Sequence, residues 1–101
     1  MSQDLLDSFC KAKGLEYVEL IFVETNYIDG DAVGMYVKAN RCFKVHAKIY
    51  ISKQGLDTDT LLHELSHHYQ ELRYEMVTHH DYTFFNARKV VDNFVNRKDS
   101  D

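Results

Sequence analysis

The chain has 101 residues, 45% of them hydrophobic, with seven Tyr and six Phe, which excludes a disordered segment and supplies one modest core rather than two. A net charge of -4 argues against a protein built mainly to coat nucleic acid, and no apolar run approaches the length of a membrane span. No basic-then-apolar start resembles a signal peptide, and Cys10 and Cys42 form no CxxC pair; the expectation is reduced thiols and a cytoplasmic location, with one bridge between the two cysteines as the alternative.

Ser2 can cap a first helix over about Gln3 to Lys13, with Leu5, Leu6, Phe9 and Ala12 on one stripe. Gly14 then stands where a left-handed terminator belongs. The β-branched and aromatic run YVELIFVE reads as a strand, and NYIDGD as a turn. AVGMYVKAN and CFKVHAKIYIS predict two more strands. In the second, Phe43, Val45, Ala47 and Ile49 alternate with Lys44, His46, Lys48 and Tyr50, the two-residue period of a half-buried strand. SKQGLDTDT offers Asp57, Thr58 or Asp59 as the cap of a second helix, which runs to Tyr74 or Met76. A third helix is expected from Asp81 to Arg97, its inner stripe Phe84, Ala87, Val91, Phe94 and Val95. No linker or repeat divides the sequence. The order helix, strands, helix, helix predicts a single α+β domain over 1–101, with an antiparallel or mixed sheet of about three strands.

Charge is unevenly spread. No acidic residue falls between Ala32 and Leu56, where Lys38, Arg41, Lys44, Lys48 and Lys53 all lie. Such a stretch is either the solvated side of a sheet or a patch that attracts anions.

Five of the six histidines fall between Thr60 and Phe85. His63-Glu64-Leu65-Ser66-His67 is HExxH: residues four apart on a helix share a face, so both imidazoles can reach one zinc ion. Glu64, one position round, can touch a water on that ion without being a ligand. Leu61, Leu65, Tyr69, Leu72 and Met76 form an apolar stripe about 80° wide at 100° per residue, with His63, His67, Gln70 and Tyr74 on the opposite face. A core histidine would sit in the stripe, so the pair reads as ligands, or else as part of a solvated polar face. His68, at the edge of the stripe, reads as structural. A catalytic zinc takes three protein ligands. Gln70 and Arg73 stand where the metzincin pattern needs Gly and His, and no Glu follows Glu75, which leaves His79 or His80 as the third ligand.

At this point the sequence resembles the SprT-like metalloproteases, the zincin group that includes the Spartan DNA–protein crosslink proteases. Its pattern is HExxH, roughly a dozen residues, then His with an aromatic four positions later. Here twelve residues separate His67 from His80, and Phe84 stands four after His80. The resemblance runs from about the second strand to the third helix and implies a small zincin-like fold. It also implies Zn2+ held by His63, His67 and His80, and Phe84 packed against the third ligand. Asp81 stands where the family usually has Gly, as a cap of the third helix or a partner of a ligand imidazole, and the family's cysteine-rich zinc ribbon has no counterpart in these residues.

The function so implied is a zinc metalloendopeptidase acting on protein or peptide substrates, with a zinc-activated water and Glu64 as general base. Tyr74 and Tyr82 are candidate oxyanion donors, and AKIYIS, Ala47 to Ser52, is the strand expected to pair with substrate. Two alternatives stand beside it. One is a non-catalytic zinc-binding module. The other is a nucleic-acid-associated protease that docks DNA-bound proteins through the Lys38 to Lys53 patch. None of these readings involves a membrane.

Overall fold

The computed structural model describes residues 3–24, 33–52, 58–75 and 80–100. Along the chain these form α1 (Gln3–Lys13), β1 (Val18–Val23), β2 (Gly34–Val37), β3 (Ala47–Ser52), α2 (Thr58–Tyr74) and α3 (Tyr82–Ser100). The fold is α+β, with three helices and one three-stranded mixed sheet.

Helix α1 has the expected bounds. Gly14 takes φ +66°, and the Leu15 amide donates to the Cys10 carbonyl at 2.8 Å, which closes the helix with a left-handed residue and a six-residue return bond. Helix α2 ends similarly on Glu75, at φ 58°, whose amide donates to the Glu71 carbonyl at 3.0 Å. Met76 lies outside the described residues. Helix α3 continues three residues past the expected Arg97, to Ser100.

The strand order is β1-β3-β2, with β3 parallel to β1 and antiparallel to β2. One correction follows for CFKVHAKIYIS, which is not one strand. Residues 41–44 form a turn, the Asn40 and Val45 backbones exchange two bonds of 2.9 Å, and β3 begins only at Ala47. The reason is local: the Asn40 side chain accepts the Phe43 amide at 3.3 Å, and Lys44 adopts φ 55°. That turn chemistry wins over strand extension. Phe43, expected to face inward, is 78% exposed.

Inward from the sheet, Val18, Tyr36, Ala47, Ile49 and Ile51 meet Leu6 and Phe9 of α1, Leu61 and Leu65 of α2, and Val91 of α3. Each fully buried Leu or Phe in this set contributes roughly 1.5–3 kcal/mol. Helix α2 is covered on two sides. Leu61 and Leu65 join the sheet core as the stripe predicts, but Ser66, His67 and Gln70 are buried as well, because α3 packs over the face read as polar. Among the described residues no helix is long and apolar enough to cross a membrane.

The two sheet edges differ. On β1, the Gln3 side-chain amide donates to the Val18 carbonyl and accepts the Leu20 amide, both at 2.8 Å, so α1 blocks that edge. On β2, Gly34 lies against Thr60 and Glu64 of α2, and the Tyr36 amide bonds the Glu64 carboxylate.

Candidate metal centre

His63 and His67 lie one turn apart on α2, on the face that α3 covers, with ring centroids 5.0 Å apart. His80 comes from the residue just before the cap of α3. Asp81 is that cap: its carboxylate accepts the Thr83 amide at 3.0 Å, and its carbonyl accepts the amides of Phe84 and Phe85. Holding the backbone there brings the His80 ring to 5.1 Å from both His63 and His67, which makes a nearly equilateral triangle of imidazoles. Phe84, four residues on, closes the base of the triangle, its ring 4.8, 4.8 and 5.0 Å from His63, His67 and His80.

One ligand nitrogen from each of the three residues lies within 4.8 Å of the others, so the group can hold a metal ion. Nε2 of His63 and Nε2 of His80 are 3.2 Å apart. A tetrahedral zinc with Zn–N near 2.05 Å needs its ligand nitrogens about 3.3 Å apart, so this edge of the triangle already has the span the ion requires. Three imidazoles without a thiolate suit Zn and its transition-metal neighbours rather than Ca or Mg. Burial lowers the pKa of His63 and of His67; for His63 the adjacent His67 and His80 lower it further. Both imidazoles are therefore held neutral, the form that coordinates.

Glu64 lies beside this group. Its carboxylate accepts the backbone amide of Tyr36, on β2. Burial outweighs that bond and pushes the Glu64 pKa up to about 7. This close approach of β2 to α2 depends on Gly34: a Cβ there would lie 2.8 Å from Thr60 Cγ2 and 3.2 Å from Glu64 Oε2. Val33, Gly34, Asp59, Thr60, His63 and Glu64 line a cleft of about 260 Å3. A larger hollow of about 490 Å3, between Val37–Arg41 and Glu71, lies at the other end of the same β2–α2 seam and carries no histidine. The smaller cleft is the one that reaches the histidine group, at His63. Beside it, Arg88 of α3 bonds Asp59 of α2 at 2.6 Å and Asp92 at 2.9 Å, tying the two helices together next to His63.

The remaining histidines do other things. His68 is 1% exposed; its Nε2–H donates to the Glu16 carbonyl and its Nδ1 accepts the Tyr36 hydroxyl, both at 2.8 Å, a structural bridge as expected. His46 bonds Glu19 at 2.6 Å and meets Tyr17 edge to face. His79 lies outside the described residues.

The fold bears on four other expectations. Strand β3 cannot pair with a substrate, because β1 and β2 occupy both its edges; the edge facing Glu64 belongs to β2. Tyr82 and Tyr74 are 71% and 38% exposed, and among the described residues no hydrogen bond fixes either hydroxyl. Cys10 and Cys42 are both free, one buried and one exposed. Within the basic stretch Lys38, Arg41 and Lys44 are exposed, Arg41 pairs with Glu16 at 2.6 Å, and Lys53 lies outside the described residues.

Sequence reading passed over Gly34, Tyr36 and Thr83, and placed Gln70 without a role. Gly34 did carry a signal, since an isolated glycine inside a strand marks a bulge or a close backbone approach. Comparison with family models, with curated proteins and with solved structures finds no match for this chain.

Proposed function

We propose that the chain is a zinc-dependent metallopeptidase of the SprT-like kind, with His63, His67 and His80 as metal ligands, Glu64 as general base, and protein or peptide as substrate. The observation that carries the reading is the buried carboxylate of Glu64, with its pKa near 7, beside three imidazoles grouped so that they could hold one ion. When bound, zinc supplies Lewis acidity that polarises the scissile carbonyl and acidifies the attacking water. Glu64 takes a proton from that water and later delivers it to the leaving amine, a shuttle for which a pKa near the working pH is the best compromise.

The β2 backbone orients the substrate. An extended peptide laid along the outer edge of β2, beside the cleft lined by Val33, Gly34, His63 and Glu64, adds to the sheet there. The Tyr36 amide is already engaged by Glu64, so it positions the base rather than the substrate. Among the described residues the metal group has three members, the number of protein ligands that a catalytic zinc takes.

The test is hydrolysis of a quenched-fluorescent peptide library by the zinc-loaded protein. The reading expects cleavage that chelation abolishes and zinc restores, with Glu64→Gln inactive while it still binds zinc. Zinc-loaded wild type that cleaves nothing, or no faster than Glu64→Gln, would contradict it.

A further inference from the structure

His67 is held by a chain of hydrogen bonds with only one possible sense. At its far end is the Asp81 carboxylate, which only accepts. It receives the Thr83 amide and, through a short bond, the Thr83 hydroxyl. The hydroxyl hydrogen is thereby committed, so Thr83 Oγ1 must accept from the amide of Gln70, Nε2 donating at 2.8 Å. That fixes which way the Gln70 amide points: its Oε1, again only an acceptor, faces His67 Nδ1 at 2.9 Å. Nδ1 must then carry the hydrogen. Nε2 of His67 is left with its lone pair. Gln70, Thr83 and His67 are at most 3% exposed, so water does not compete for these bonds.

We infer that Gln70 is a positioning residue for the metal centre: backed by Thr83 and Asp81, it locks His67 in the tautomer that offers Nε2 to the ion. The chain also joins the two parts of the ligand set, since Asp81 follows His80 directly and Gln70 lies one turn from His67. One set of bonds therefore fixes both the tautomer of the α2 ligand and the cap that places the third. The tautomer does not depend on metal, whereas the consequence for zinc affinity rests on the metal reading given above.

The experiment has two parts. Long-range 1H–15N correlation spectra of the metal-free protein at pH 8 report the His67 tautomer, and chelator competition reports zinc affinity. Wild type should show His67 as the Nδ1–H form. Gln70→Met keeps the side-chain length and removes the acceptor; it should populate both tautomers and bind zinc 10–100-fold more weakly. Gln70→Glu keeps the acceptor toward His67 and should retain the Nδ1–H form and bind zinc more tightly than Gln70→Met does. If Gln70→Met does not fold, Thr83→Val releases the Gln70 amide from one step away and should mix the tautomers in the same direction.

Nε2–H at His67 in wild type would overturn the inference. So would unchanged zinc affinity in a folded variant whose tautomers are mixed. A wild-type protein with the Nδ1–H tautomer that binds no zinc would overturn the metal reading instead, and with it the claim on affinity, while the hydrogen-bond assignment stands.

Discussion

Glu64 is expensive to bury as a carboxylate, and the cost is measurable without metal or substrate. Its folded pKa, about 7, lies above the unfolded value of 4.5, so folding favours the protonated form. Below pH 4.5 both states are protonated and stability is unaffected. As pH rises through 7 the unfolded chain ionises first and stability is lost, on the order of 3 kcal/mol by linkage. Glutamine imitates the protonated acid. Metal-free Glu64→Gln should therefore match wild type near pH 4.5 and exceed it by about 2–3 kcal/mol at pH 8 in urea unfolding; an equal offset at both pH values would contradict this. His63, His67 and His68 act in the opposite sense. Burial lowers their pKa values, so their contribution is present above pH 6.5 and falls away below it. Comparing the variant with wild type at each pH removes that shared background. Tyr36 gives a second single-residue test. Its hydroxyl is the donor to His68 Nδ1 in the core, so Tyr36→Phe leaves a buried acceptor unsatisfied and should cost about 1–3 kcal/mol in denaturant unfolding.

The β2–α2 seam is the element on which the site depends. Gly34→Ala should push β2 off α2, because the new methyl meets Thr60 Cγ2 at 2.8 Å. Removing that methyl with Thr60→Ser should restore much of the lost stability. A double variant no better than Gly34→Ala would show that the strand is not held where the structure has it. This element also shows what the sequence could and could not reveal. His63, Glu64 and His67 were legible because helical spacing alone puts them on one side of α2. His80 was legible only by its distance from HExxH and the aromatic after it. The burial of Gln70 and His67 was not legible, since the apolar stripe of α2 points to the sheet and says nothing of α3 arriving on the other face. Nor was the end of the strand at Ala47: Phe43 and Val45 keep the two-residue phase by accident, across a turn set by Asn40. Period reports which residues share a face, and not whether the chain runs straight between them.

At the scale of the molecule, the centre joins the two helices that build it. His63 and His67 belong to α2, while His80 precedes α3, so an ion there closes a loop that protein contacts otherwise hold through Arg88–Asp59, Gln70–Thr83 and the packing around Phe84. An ion that binds only the folded state adds stability by mass action, about 2.7 kcal/mol at a hundred times its dissociation constant. Zinc should thus raise the melting temperature of wild type and of Glu64→Gln alike, and that of His63→Ala hardly at all. The most direct measurement of the three-histidine site is zinc per chain by native mass spectrometry, on wild type beside His80→Ala and His79→Ala. A site built by His63, His67 and His80 should give one tightly held zinc in wild type and His79→Ala, and none in His80→Ala. No zinc in wild type after metal is supplied, or retention in His80→Ala, would contradict it.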